Sequence, residues 1–229
     1  MFLIDTPVSA AHDLVSALAS TLEPVAGGLA TAGAIIVFTV AVRLLLSPLA
    51  VAQARGERAR AALMPKMRAL HARHAKNPER LRRELADLYA SEGASPMAGC
   101  LPSLAQLPFF FVMYRLFVSA SVAGHPNLLL AHTLFGAPLG QNLIGVLGAG
   151  LFSGPALVFL VLLALLATVA WWTSRRLTVE GPLKPFVRLL PFATVAFAAF
   201  VPLAAALYLL TTTTWTALER TILQRPATA

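Results

Sequence analysis

The chain has 229 residues, 58% of them hydrophobic and 12% charged, with a mean hydropathy of +0.74; an ordinary soluble domain carries about twice that charged fraction. This argues against a water-soluble globule. The 18 Lys and Arg outweigh the 10 Asp and Glu to give a net charge of +8, which suits a membrane protein facing anionic lipid better than sequence-specific binding of nucleic acid. The single cysteine, Cys100, can form neither an internal disulfide nor a thiolate metal cluster.

In chain order, residues 1–27 read as an external amphipathic segment, with Leu14, Leu18 and Leu22 at i, i+4 and i+8. They carry Asp5, Asp13 and Glu23 and lack a basic start, so a cleaved secretory signal is not expected. Crossing the hydrocarbon core takes roughly 20 apolar residues. Five stretches meet that need: 28–51, 97–119, 155–174, 185–202 and 203–223. Pro202 divides the last two. The intervening pieces are a hairpin at 52–96, an external loop at 120–154, a linker at 175–184 and a short tail at 224–229. Within that loop, the apolar run Leu143 to Phe152 reads as an interfacial piece rather than a sixth span.

Basic residues accumulate on the cytoplasmic side. Residues 1–42 and 116–174 contain none, whereas ten lie between the first two spans, and 16 of the 18 fall inside if the N-terminus is outside. The predicted fold is therefore an all-α polytopic membrane protein with five transmembrane helices, N-out and C-in, and a cytoplasmic antiparallel helical hairpin between helices 1 and 2. In the hairpin, Leu63, Met67, Leu70 and His74 form one stripe and Leu81, Leu85 and Leu88 another. Asn77 and Pro78 suit the cap and first position of the second arm, and Gly93 its stop. Arg68, Arg73, Arg80, Arg82 and Arg83 are its candidate partner-docking residues. His71 and His74 lack further ligands, so no metal site is expected.

The most informative residue is Arg43. A charge near the middle of a span costs about 2.5–3.5 kcal/mol on the insertion scale, and the next base, Arg55, lies roughly 18 Å along the helix. No acid sits in any span core; Glu219, at the inner end of the last span, is the nearest. A hydrated cavity is the remaining way to solvate this permanent cation. Polar residues that suit such a cavity are Thr39, one turn from Arg43, Ser103 and Gln106 on span two, and Tyr208, Thr211, Thr212 and Trp215 on span five. Arg115, near an outer span end, can snorkel.

The run Pro65-Lys66-Met67, Asn77-Pro78-Glu79-Arg80, Glu84-Leu85, Leu88-Tyr89, Glu92-Gly93, Pro96, Gly99-Cys100-Leu101-Pro102, Gln106-Leu107-Pro108 and Tyr114-Arg115 closely resembles the YidC-type membrane protein insertases. Val42-Arg43-Leu44 with Pro48 looks like that family's first core helix, and Phe200-Val201-Pro202 with Leu207-Tyr208 like its final hairpin. The resemblance implies a five-helix core in a bacterial cytoplasmic membrane and a groove open to cytoplasm and lipid. It implies no cofactor. The implied groove residues are Arg43, Thr39, Gln106 and Tyr208; the partners are nascent membrane proteins and the bilayer, with the ribosome and the secretory translocon as further candidates. The chain departs from the pattern at Ala204, Thr213 and Ser95, and the residues after Arg225 are too few for a long basic tail, which shifts expected ribosome docking to the hairpin and the linker.

Two other classes compete. An intramembrane serine protease needs a base beside its nucleophile, but His12, His71, His74, His125 and His132 all lie outside the spans and no Gly-x-Ser-x-Gly is present. A small ion-coupled transporter favours carboxylates or broken helices at midplane, where this chain offers an Arg that does not release its proton.

Overall fold

The computed structural model describes residues 2–93, 104, 107–122, 124–148, 150, 152–177 and 184–223. The described chain is mostly helical: α1 (Phe2–Ala26), α2 (Ala30–Arg73), α3 (Pro78–Ser91), α4 (Leu107–Val118), α5 (Leu143–Leu147), α6 (Gly154–Arg176), α7 (Lys184–Ala198) and α8 (Leu203–Leu223). Two small antiparallel hairpins lie between α4 and α5, β1 (Ser121–Val122) with β2 (His125–Pro126) and β3 (Thr133–Leu134) with β4 (Ala137–Pro138). The chain divides into two compact units, one of residues 1–44 and 109–219, the other of 45–108 and 220–229. Two helical stretches, Thr6–Arg73 and Gly154–Arg176, are long and apolar enough to cross a bilayer, and Leu107–Val118 and Pro185–Ala198 are shorter apolar helices. Helix α8 has the length, 21 residues, but its threonines at 211–214 and the charges of Glu219 and Arg220 dilute its apolar character.

In the first unit the core gathers Ile35 and Phe38 of α2, Leu116 and Phe117 of α4, Phe159, Leu162 and Leu166 of α6, and Leu203 to Leu207 of α8. The buried positions of α6, at 156, 159, 162, 166 and 170, follow a helical face. Its opposite face exposes Leu157, Leu160, Val161 and Leu165. Such a broad exposed apolar surface belongs to a protein solvated by lipid rather than by water.

Helix α1 packs onto this core through Ala11 and Val15, with Leu18 and Leu22 against it. The face expected from Leu14, Leu18 and Leu22 needs correction: Leu14 is 57% exposed, while Val8, Ala11 and Val15 are buried. A period of 3.6 carries 8, 11, 15, 18 and 22 along one stripe and leaves position 14 about 100° from its neighbour at 15. The reversal between α1 and α2 uses Gly27 at φ +51°, a left-handed conformation that costs a residue without Cβ little. On α2, a Cβ added at Gly33 would stand 3.6 Å from Leu22 Cδ1, so the two helices approach closely there.

The segment after α4 is tied to the helix ends it covers. Asn127, 5% exposed, donates from Nδ2 to the carbonyls of Leu116 at 2.8 Å and Ser119 at 3.1 Å, satisfying acceptors that the end of α4 leaves open. The first N–H groups of α8 donate to the same segment, Leu203 to Gln141 O at 2.9 Å and Ala204 to Leu139 O at 3.0 Å. One end of the bundle is thereby closed by backbone hydrogen bonds as well as by apolar packing.

In the second unit, α2 residues from 45 onward and α3 carry pairs that run in opposite directions along the two helices. Tyr89 Oη donates to Met67 Sδ at 3.3 Å, Lys66 bonds Glu92, and His74 Nε2 meets Glu84 Oε2 at 2.9 Å. Asn77 accepts from Arg80 N at 3.1 Å and Pro78 opens α3, and Gly93 leaves it at φ +59°. The Arg80 hydrogen bond, helped by His74, holds the Glu84 carboxyl below the usual carboxylate range.

Two outcomes are expected. Asn127→Ala removes both donors to the end of α4 and should lower stability by about 1–3 kcal/mol, read as reduced thermal resistance in detergent, whereas Asn142→Ala, whose Nδ2 bond to Phe200 O is exposed, should cost less. Because the Glu84 pKa is depressed on folding, the contribution of its contacts is complete above the ordinary carboxylate range and is lost only as pH falls through the depressed value. Side-chain NMR of the full chain should show Glu84 titrating below the ordinary carboxylate value, and Arg80→Gln should move it upward.

Candidate functional site

Arg43 projects from α2 and is half-buried. Its Nε donates to Thr212 Oγ1 at 3.0 Å and its Nη2 to the Thr212 carbonyl at 3.4 Å. Among the described residues no carboxylate forms an ion pair with it. Thr212 offers it neutral oxygens, and the Glu219 carboxylate further along α8 acts on it electrostatically without forming an ion pair, so its charge is met only in part and an incoming anion is still favoured here.

The neighbouring polar groups divide by where their hydrogens go. Thr211 and Thr213 donate to carbonyls of their own helix, at Leu207 and Leu209, and Thr216 donates to Thr212 O at 2.9 Å. Those hydroxyls are satisfied internally. Thr212 is the one whose oxygen receives Arg43, and Tyr208, one turn earlier, is within hydrogen-bonding reach of it. The Tyr208 ring leans on Phe117, with centroids 5.8 Å apart. Trp215 Nε1 is buried and makes no hydrogen bond of standard geometry, and the nearby Glu219 carboxylate, one turn on, is placed to interact with it.

Burial changes along both helices at this level. On α8, residues 203–207 are buried, whereas 208–216 are all half-buried; on α2, positions 30, 31, 32, 34, 35, 38 and 39 are buried, and none from 40 to 50 is. Within the first unit the side chains of both helices are thus more accessible just beyond Arg43 and Tyr208 than beside the closed end, until Ala217 is buried again. Thr39 lies on the tight side: it is 1% exposed and donates to Ile35 O at 2.6 Å. Its hydroxyl is thus occupied by its own helix rather than turned toward Arg43. Ser103 and Gln106 lie outside the described residues.

Of the hairpin arginines, Arg80 is paired with Glu84 at 3.1 Å and Arg83 with Glu79 at 3.7 Å, both one turn apart along α3. Arg68, Arg73 and Arg82 are exposed. Among the described residues no group of three His, Cys, Asp or Glu could hold a metal. A separate cavity of about 350 Å³ lies beside the Gly27 turn, lined by Ser16, Ser20, Glu23, Thr31, Leu128 and His132. Thr31 precedes Arg43 by twelve residues, roughly 18 Å of helix, so this cavity is remote from the arginine.

Sequence reasoning missed three features of this unit. One is which of the two threonines on the Tyr208–Trp215 stripe meets the arginine: Thr212 does, while Thr211 turns back to Leu207. Another is the Phe117 support for Tyr208, a contact between helices far apart in sequence. The third is a pair of Trp–Arg contacts at the end of α6, for which the i, i+4 spacing in Trp171-Trp172-Thr173-Ser174-Arg175-Arg176 is a legible signal.

Known proteins resemble this chain in sequence and in fold. The chain is 32% identical over 203 residues to the "Membrane protein insertase YidC" of Acidiphilium cryptum, covering 86% of this chain and 34% of that protein. It is 30% identical over 207 residues to the protein of the same name from Streptomyces avermitilis, covering 80% of this chain and 48% of the relative. The chain thus spans about a third to a half of the length of these curated relatives. A solved structure, "Active YidC insertase crystal structure with the first transmembrane domain resolved", matches with a TM-score of 0.57 at 23% identity, over 92% of this chain and 45% of that one. That likeness shows a common fold. The profile described as "60Kd inner membrane protein" matches residues 22–229, and the chain belongs to that family.

Proposed function

We propose that this chain is the core of a membrane protein insertase and that Arg43 receives the polar or acidic flank of a nascent membrane protein on its way across the bilayer. In this reading the membrane helices are five, at 28–51, 97–119, 155–174, 185–202 and 203–223, with the N-terminus outside, and the hairpin at 52–96 lies in the bacterial cytoplasm. The closed end of the first unit faces outward. The loosened end, with Arg43, Tyr208, Thr212 and Trp215, opens toward the cytoplasm and lipid.

The observation that carries this reading is a permanent cation met by neutral oxygens at the level where the packing of α2 and α8 gives way. A polar segment crossing bare hydrocarbon loses a hydrogen bond at each backbone group. A hydrated groove shortens the dry path, and a fixed cation lowers the energy of a carboxylate within it. The interaction must be transient, because a client held too well would not leave. Thr212 serves that end: it orients the guanidinium without neutralising it. Release follows from the client's own apolar segment, which gains by burial among lipid tails once it slides past the exposed face of α6.

No step makes or breaks a covalent bond, so the activity is that of a chaperone and insertase rather than of an enzyme. Docking of a ribosome or of the secretory translocon falls to the basic hairpin. Arg73 and Arg82 are its foremost contacts, since Arg80 and Arg83 already have acidic neighbours on α3.

Reconstituted vesicles and a protease-protection readout test the groove. Arg43→Ala should slow insertion of a client with an acidic tail roughly tenfold, the worth of a hydrogen bond to a charged group, while leaving a client with an uncharged tail nearly unaffected. Thr212→Val, which keeps the shape and removes the acceptor, should give a smaller loss in the same direction, and Thr212→Ser should restore it. Equal losses for the two tails would remove the ion-pair step. Solute counterflow by the same vesicles would instead favour a transporter.

A further inference from the structure

Arg43 is not the only half-buried charge of the first unit. Glu219 is half-buried as well, and it is the only acid in the five stretches expected to cross the bilayer. On α8 it continues the stripe of Tyr208, Thr212 and Trp215, at successive spacings of four, three and four residues, which keeps all four on one helical face. Thr212 fixes the place of Arg43 on that stripe. Glu219 follows seven residues later, about 10 Å along the helix axis, and the two charges act on each other without forming an ion pair. Trp215 lies between them, its buried Nε1 without a hydrogen bond of standard geometry and the Glu219 carboxylate placed to interact with it. An indole donates once, whereas a carboxylate has two oxygens and about four acceptor sites. Trp215 therefore orients Glu219 and leaves acceptor capacity on it. Arg220, next in sequence, is exposed and lies about 100° round the helix, off the stripe.

We propose that Glu219 is a specificity-determining residue of the groove, receiving a Lys or Arg of the same client whose acidic tail is held at Arg43. This role of Glu219 rests on the insertase reading of the groove. Before a client arrives, the two protein charges offset one another in part. A client carboxylate at Arg43 takes over that task, and Glu219 is left with a negative field that favours a cation. A client base at Glu219 in turn frees Arg43 for the carboxylate. The two contacts support each other, so a client with both charges gains more than the sum of its parts. An extended chain rises about 3.3 Å per residue, and an acid and a base about three residues apart therefore reach both positions. An acid without a base meets the repulsion of Glu219, which keeps its stay at Arg43 short.

Vesicles of neutral lipid with no imposed potential remove the other fields that act on a client's charges. Four forms of one single-span client would be compared by protease protection, with Asp or Asn in the tail and, three residues nearer the span, Lys or Gln. With the parent chain, Lys should raise the insertion rate of the Asp form about threefold, the scale of a partly exposed charge pair, and that of the Asn form less. Glu219→Gln keeps an acceptor for Trp215 and removes the charge. It should abolish the gain from Lys and leave the gain from Asp at least as large as in the parent. Glu219→Lys should reverse the preference, so that a client with Glu in place of Lys inserts faster, a change of sign that misfolding does not produce. A gain from Lys that survives Glu219→Gln, equal gains for the Asp and Asn forms in the parent, or an unreversed preference with Glu219→Lys would each overturn the role of Glu219. Failure of the insertase reading has a different signature: the Asp and Asn forms would then suffer equal losses on Arg43→Ala, whatever Glu219→Gln does.

Discussion

A guanidinium that never gives up its proton must be solvated wherever it stands, and Arg43 stands inside an apolar helix. In hydrocarbon the requirement is severe. The structure meets part of it with two oxygens of Thr212, and neutral oxygens alone satisfy only some of the five donors of an arginine. Water is the economical source of the rest. The loosened packing beside Arg43 is then a consequence of the charge rather than an accident of helix geometry.

The rigid part of the molecule makes that opening one-sided. Asn127, the short hairpins and the carbonyls of Leu139 and Gln141 close the bundle end beyond Thr39, leaving few polar groups unpaired there. The groove proposed at Arg43, closed in this way, would be wet from one direction without conducting across the bilayer. Polar flanks could approach Arg43 while ions and protons meet a dry, well-packed barrier formed by Ile35, Leu116, Phe117 and Leu203 to Leu207. Partial passage, lateral exit and no open pore are properties of an inserting device, and in the proposed reading they follow from the opposition between a sealed end and a solvated charge.

Much of this was legible in the residues. Asn77-Pro78 and Gly93 announce a helix start and stop through chemistry local to a few positions, and Arg43 stands out because a permanent charge in an apolar helix needs partners, the first of which is Thr212. What depended on rotation was not legible. Leu14, Leu18 and Leu22 repeat every four residues, but the buried stripe of α1 follows 3.6 and leaves Leu14 outside. Thr39 shares a face with Arg43 by spacing, yet its hydroxyl turns back to Ile35, an option every membrane threonine has. Spacing from Tyr208 singled out Thr211 and Thr212 from the four consecutive threonines, and the placement of α8 decides that Thr212 meets Arg43.

The most direct test of a hydrated, one-sided Arg43 is chemical accessibility in sealed vesicles of known orientation. The native Cys100 would first be replaced by serine, and Arg43→Cys and Thr39→Cys introduced separately. A membrane-impermeant maleimide, which needs water to form the thiolate, should label position 43 from the cytoplasmic face alone and leave position 39 unreacted from either side. Position 43 unlabelled until detergent is added, or labelled equally from both faces, would contradict the account.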